Sequence, residues 1–120
     1  MKYHESQETY LETILLLQEK NGSVRSIDVA TELEYSRPSV SRAVNLLQKN
    51  GYITVAKNGE ITFTAEGAIR AKEIYERHNV ITAVLMRIGA DKQTAEDNAC
   101  RIEHVITDEL MQVLKNYFNK

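Results

Sequence analysis

Glu96, Cys100, Glu103 and His104 bring four metal-ligating side chains into one short stretch of the chain. If residues 95–106 form a single helix, a rotation of about 100° per residue gathers all four on one side, since spacings of three and four residues bring side chains together. A thiolate, carboxylates and an imidazole suit a divalent transition metal, and the Cys-x-x-Glu-His spacing lets them converge on one ion. The same pattern has a plainer reading. Glu and His on an exposed helix face contact water, and a single Cys is commonly a small buried hydrophobe. Ala95, Ala99, Ile102 and Ile106 make a neighbouring apolar stripe that would face a core.

Whatever positions these residues must be small and soluble. The 120 residues are 27% charged and 42% hydrophobic, the balance of an ordinary globular chain with one or two small cores. No apolar run approaches the roughly 18 residues that would span a membrane, and the opening Met-Lys-Tyr-His-Glu has no signal-peptide core. A cytoplasmic protein is expected. Cys100 is the single cysteine, so it cannot form an internal disulfide and suits a reducing compartment. A net charge of −2 and a pI near 5.9 exclude a general polycation, so any nucleic-acid binding has to come from a local patch.

In chain order, Ser6 to Lys20 carries Tyr10, Leu11, Ile14, Leu15 and Leu17 at helical spacing and is stopped by Asn21-Gly22. Glu8 and Glu12 lie one turn apart on its polar side, where solvated acids are the plainer reading. Ser26 is expected to cap a helix over Ile27–Leu33, with Asp28 in its first turn. Ser36 is expected to cap the next helix, with Pro38 in the first turn, Val40, Val44 and Leu47 facing inward beside Ala43, and Asn50-Gly51 closing it. Ser39, Ser41, Arg42 and Asn45 are left outside. Short hydroxyls let a helix N-terminus approach a phosphate or base edge, and Arg37 and Arg42 can neutralise phosphates or donate in pairs to guanine. Residues 25–57 hold five basic and three acidic side chains, a positive patch in an acidic chain. Two short helices at this spacing favour a DNA-reading helix-turn-helix over a plain capped surface helix. The DNA-facing set is then Arg25, Ser26, Ser36, Arg37, Pro38, Ser39, Ser41 and Arg42, joined by Lys57 in the element that follows.

That element is a hairpin. Ile53-Thr54-Val55 and Ile61-Thr62-Phe63 alternate around Lys57-Asn58-Gly59, so a wing follows the reading helix. Thr64 is expected to cap a long helix with Ala71, Ile74, Tyr75, His78, Ile81 and Leu85 on one face, ending at Gly89. His78 sits in the middle of that apolar face, where a histidine is more often a satisfied core residue than a ligand. Asp91 or Thr94 starts the metal-type helix, and Thr107-Asp108-Glu109 starts a last one with Leu110, Val113, Leu114, Tyr117 and Phe118 apolar. The C-terminal helices are too few to close a core alone, so pairing with a second copy is expected.

Four segments together carry a resemblance: residues 6–14, Ser-Arg-Pro-Ser-Val-Ser at 36–41, Glu-Arg-His at 76–78, and Ala-Cys-Arg-Ile-Glu-His-Val-Ile at 99–106. The chain resembles, over essentially its whole length, the metal-dependent repressors of the diphtheria toxin repressor and manganese transport regulator family. The resemblance implies a mainly α fold with a small β-hairpin: a winged helix-turn-helix DNA-binding domain over 1–64, then an all-helical metal-binding and dimerisation domain over 65–120. It further implies a homodimer that binds a palindromic double-stranded operator when Fe(II) or Mn(II) is bound, with Co(II), Ni(II) or Zn(II) as surrogates. Many members carry a third, SH3-like domain, and this sequence is expected to stop before one.

The ligand positions implied by the resemblance form a mixed set. Glu103, His104 and His78 match ligands of both branches, Cys100 matches the iron type, Glu12 matches the manganese type, and Glu96 falls where the iron branch has an ancillary histidine. Thr9 and Thr82 stand where ligands are expected, and Glu8 or a water is left to fill the gap. The function expected is a repressor controlling metal-homeostasis genes. One alternative is a winged-helix regulator that senses redox state or another ligand through Cys100. A small metalloenzyme using the same Cys/Glu/His set is disfavoured, because no nucleophile with a paired base is evident.

Overall fold

Caps and turn residues cut the chain into short amphipathic pieces. The computed structural model describes residues 7–119 and orders them as α1 (Gln7–Asn21), α2 (Ser26–Leu33), α3 (Arg37–Lys49), β1 (Ile53–Val55), β2 (Ile61–Phe63), α4 (Ala65–Arg87), α5 (Lys92–Ile102) and α6 (Asp108–Phe118). This is the mainly helical chain with one small hairpin expected from the sequence. Ser6, expected to open the first helix, lies outside the described residues. The chain divides within α4 into two compact units, with described residues 7–72 in one and 73–119 in the other. Among the described residues no helix is long and apolar enough to cross a membrane.

In the first unit, α1 buries Tyr10, Leu11, Ile14 and Leu17, and the Tyr10 ring meets Tyr35 edge-on at 6.0 Å between centroids. The N-cap of α2 is Arg25 rather than Ser26. Asp28 reaches back and accepts from the Arg25 N–H at 2.8 Å, which satisfies that donor and makes Ser26 the first helical residue. In α3, Ser36 does act as the cap, accepting from the Ser39 N–H at 3.3 Å, and Val40, Val44 and Leu47 are buried as expected. Burying each of these side chains stabilises the unit by roughly 1.5–3 kcal/mol.

The hairpin pairs Ile53 with Phe63 and Val55 with Ile61, burying Ile53 and Ile61, while the Thr54 and Thr62 hydroxyls meet across the strands at 2.7 Å. Its turn closes through the Gly59 N–H donating to Ala56 O at 2.9 Å, with Gly59 at φ +89°, a left-handed conformation that favours glycine. The Ile61 N–H donates to Val24 O at 2.7 Å, anchoring the wing to the segment before α2. Thr64 caps α4 by accepting from the Gly67 N–H at 3.0 Å and donates its own hydroxyl to Gly51 O. A Cβ on Gly67 would sit 1.8 Å from the Tyr52 carbonyl oxygen, so only glycine lets the helix start this close to the strand.

In the second unit, Val80 and Ile81 of α4 pack on Ala99 of α5 and Met111 of α6, with Val84, Leu85, Ile102, Ile106, Leu114 and Phe118 around them. Asp91 caps α5 through the Thr94 N–H at 2.8 Å, and Thr107 caps α6 through the Leu110 N–H at 3.2 Å. One expectation changes here. The metal-type stretch is not one helix: α5 ends at Ile102, and Glu103-His104-Val105 turns before α6, because Thr107 must leave helical geometry to serve as an N-cap. Glu103 itself keeps near-helical dihedrals (φ −59°, ψ −24°), so the relation of Cys100 to Glu103 survives. On α6 the buried residue is Met111, with Leu114 and Phe118 beside it, while Leu110, Val113 and Tyr117 are 50%, 58% and 41% exposed. Two apolar stripes share this helix, and only one meets the core.

Candidate metal centre

The second unit gathers its chemistry where α4 faces the end of α5. His78 comes from the middle of α4, Cys100 from the last turn of α5 and Glu103 from the turn that follows, and each offers a ligand atom within 4.8 Å of the others. Donors held by one ion at about 2.0–2.3 Å lie no more than about 4.6 Å apart, so small side-chain adjustments close the set. Glu103 is 0% exposed. Its Oε1 lies 3.4 Å from His78 Nδ1 and 3.9 Å from His104 Nε2, and its Oε2 is buried without a hydrogen-bond partner among the described residues. Desolvating a carboxylate and leaving an oxygen unsatisfied is costly unless a cation compensates it. Nitrogen, sulfur and oxygen donors around one buried carboxylate fit a divalent transition metal.

The other residues expected at the site fall as follows. His104 is largely buried beside Glu103. Glu96 stands apart from the His78–Cys100–Glu103 set, with its side chain 42% exposed and its Oε1 3.9 Å from Lys92 Nζ. Glu12 belongs to the first unit, on α1, and is 8% exposed. Glu8, on the same helix, forms an ion pair with Arg70 of α4. Thr9 is buried, and the Thr82 Oγ1 is buried without a hydrogen-bond partner among the described residues.

In the first unit the N-terminus of α3 presents Arg37, Pro38, Ser41 and Arg42 to solvent, with Ser39 half-buried. The hydroxyls here are organised rather than loose. Ser36 Oγ donates to Ser39 Oγ at 2.9 Å, and Ser39 Oγ also accepts from Arg42 Nη2 at 3.3 Å. Exposed Arg25 lays its aliphatic chain near Gly59 in the hairpin turn that carries Lys57, also exposed, while Ser26 is half-buried at the start of α2.

Comparison with known families resolves what such a pair of units is. Residues 2–61 match the model of the iron dependent repressor N-terminal DNA binding domain, and residues 64–120 match that of the iron dependent repressor metal binding and dimerisation domain. The chain belongs to the iron-dependent repressor family. It is 32% identical over 118 residues to an HTH-type transcriptional regulator of Methanocaldococcus jannaschii, covering 97% of this chain and 94% of that one. It is 34% identical over 114 residues to the diphtheria toxin repressor of Corynebacterium diphtheriae, covering 91% of this chain and 50% of the repressor. Among solved structures, the IdeR of T. acidophilum superposes with a TM-score of 0.86 at 25% identity, covering 98% of this chain and 55% of that one. The chain thus spans about half the length of the diphtheria toxin repressor it matches.

The iron-dependent repressors are transcriptional regulators, not enzymes. Reading the sequence for ligands alone passes over Arg77, which in this iron-dependent repressor family member donates to Glu103 O at 3.2 Å and to Asp108 Oδ1 at 3.1 Å. It also passes over Arg70, the partner of Glu8. A basic residue within a helix gives no spacing signal for partners this far away in sequence.

Proposed function

We propose that this chain is a metal-responsive transcriptional repressor that binds double-stranded operator DNA as a homodimer, with a metal centre made by His78, Cys100 and Glu103 and closed by His104. The observation that carries the reading is Glu103, a fully buried carboxylate with one oxygen beside His78 and the other without a hydrogen-bond partner among the described residues. A divalent cation bound there supplies the positive charge that the buried Glu103 carboxylate lacks. Cys100 contributes a soft donor, so Fe(II) is favoured over Mn(II), with Co(II), Ni(II) and Zn(II) as surrogates.

Residues 1–64 are assigned to DNA binding and 65–120 to metal binding and dimerisation. Arg37 and Arg42 donate to phosphates or guanine edges, Ser36, Pro38, Ser39 and Ser41 let the α3 N-terminus approach the groove, and Arg25, Ser26 and Lys57 contact the backbone beside it. Asn50 at the end of α3 donates to Gln7 at the start of α1 at 3.4 Å, so α1 and the reading helix are joined within one unit. In a dimer the two reading helices must sit about 34 Å apart, and ordering them in advance removes a conformational cost from DNA binding. The exposed stripe Leu110, Val113 and Tyr117 lies within the residues that match the dimerisation domain and supports the paired form.

The test is a titration of Co(II) into the protein with a labelled duplex selected from a random pool by the Co(II)-loaded protein, with and without a thiol reductant. Binding that rises with Co(II) and is reversed by chelator is expected. Equal binding in chelator contradicts the reading, and binding that follows the reductant instead of the metal makes Cys100 a redox sensor.

A further inference from the structure

Glu103 occupies an electrostatically awkward position. It stands at the C-cap of α5, where the helix dipole is negative, and it carries its own buried carboxylate into the same place. An acid here is disfavoured unless positive charge is supplied nearby. Arg77, the residue before His78 on α4, supplies it in a particular way. Its Nη1 donates to the Glu103 backbone carbonyl at 3.2 Å, not to the carboxylate, and its Nη2 donates to Asp108 Oδ1 at 3.1 Å in the first turn of α6. The guanidinium thus neutralises the end of α5 and spans the turn between the two helices, while the Glu103 Oε2 keeps no hydrogen-bond partner among the described residues. An arginine bonded to that carboxylate would compete with a cation. One bonded to the main chain does not.

We propose that Arg77 is a positioning residue of the metal centre: it clamps the Glu103-His104-Val105 turn so that the Glu103 carboxylate is presented to the ion beside His78 and Cys100. The inference rests on the metal-centre reading given above. Asp108 orients the clamp more than it strengthens it, because its side chain is 98% exposed and an ion pair in that setting contributes little by itself. Arg77, by contrast, has a side chain only 17% exposed, and its planar fork makes both bonds at once, a geometry that lysine cannot reproduce.

The test compares the whole protein with Arg77→Met, Arg77→Lys and Asp108→Asn, using Co(II) as the probe. The readouts are the Co(II) dissociation constant, the thiolate-to-Co(II) charge-transfer band with the d–d spectrum at saturation, and circular dichroism of the metal-free protein. Residues that orient metal ligands typically alter affinity by about 10–100-fold, so Arg77→Met should weaken Co(II) by that factor and change the d–d pattern while the metal-free spectrum stays that of the parent. Arg77→Lys should fall between the two, and Asp108→Asn should weaken Co(II) by a smaller factor. Parent-like affinity and d–d spectrum in Arg77→Met overturn the proposal. If Arg77→Met does not fold, Arg77→Lys decides, and parent-like Co(II) affinity and d–d spectrum in that variant overturn it. Absence of a thiolate band in the parent itself would instead sink the metal-centre reading.

Discussion

Replacing Glu103 by glutamine separates a ligand from a structural acid, because the two roles call for effects of opposite sign. The side chain is fully buried, its Oε1 is 3.4 Å from His78 Nδ1, and its Oε2 has no hydrogen-bond partner among the described residues. Glu103→Gln keeps the volume and the contact with His78 but removes a desolvated charge. Burying a carboxylate without a compensating cation is costly, so the metal-free variant should unfold at the same denaturant concentration as the parent or at a higher one. In the parent, Co(II) at a hundred times its dissociation constant should add about 2.7 kcal/mol by mass action. In Glu103→Gln that increment should vanish. Urea unfolding of both proteins, in chelator and in Co(II), measures all four stabilities. A variant that is weaker than the parent by several kcal/mol in chelator, yet still gains the full increment from Co(II), would show that Glu103 holds the fold and does not hold the ion.

Other outcomes follow from the same geometry. Arg37→Ala and Arg42→Ala should each weaken binding to the selected duplex by roughly 1–3 kcal/mol in an anisotropy titration and leave the Co(II) dissociation constant unchanged; parent-like DNA binding by both would remove α3 as the reader. Cys100→Glu replaces the soft donor by oxygen and should narrow the gap between Fe(II) and Mn(II) in the concentrations needed for DNA binding, whereas an unchanged gap would show that the thiol is not a ligand. Asp91 caps α5, and the Thr94 backbone N–H holds its carboxyl below the ordinary 3.8, so its contribution is complete above that pH and is lost as pH falls through the lowered value. Asp91→Asn should therefore flatten the acid limb of the stability curve, and an unaltered limb would assign acid sensitivity to other groups.

Much of the architecture could be read from local chemistry. Ser36 with Pro38, Thr64, Asp91 and Thr107 mark helix starts through short-range hydrogen bonds, and Asn58-Gly59 between alternating residues marks the wing. The convergence of His78, Cys100 and Glu103 was partly legible, since two of the three lie three residues apart. What escaped was set by partners remote in sequence or by competition between neighbours. Arg25 displaced Ser26 as a cap because Asp28 reaches back to its N–H. The end of α5 at Ile102 depends on the cap that Thr107 makes for the next helix. Which apolar stripe of α6 meets the core depends on Ala99 and Ile81, not on α6 itself. Arg77 finds a backbone carbonyl, and periodicity says nothing about which carbonyl a helix end exposes.

The central claim is that one centre couples metal to DNA, and reciprocity tests it most directly. The Co(II) dissociation constant of the protein should be measured with and without saturating selected duplex, alongside the duplex affinity with and without saturating Co(II). Thermodynamic linkage requires the two ratios to be equal, and couplings of this kind typically amount to roughly 5–150-fold. Equal ratios in that range, with no gain of duplex affinity from Co(II) in Glu103→Gln, are the expected result. A Co(II) affinity that is the same whether or not DNA is bound would show that the metal sits in this fold without controlling its hold on the operator.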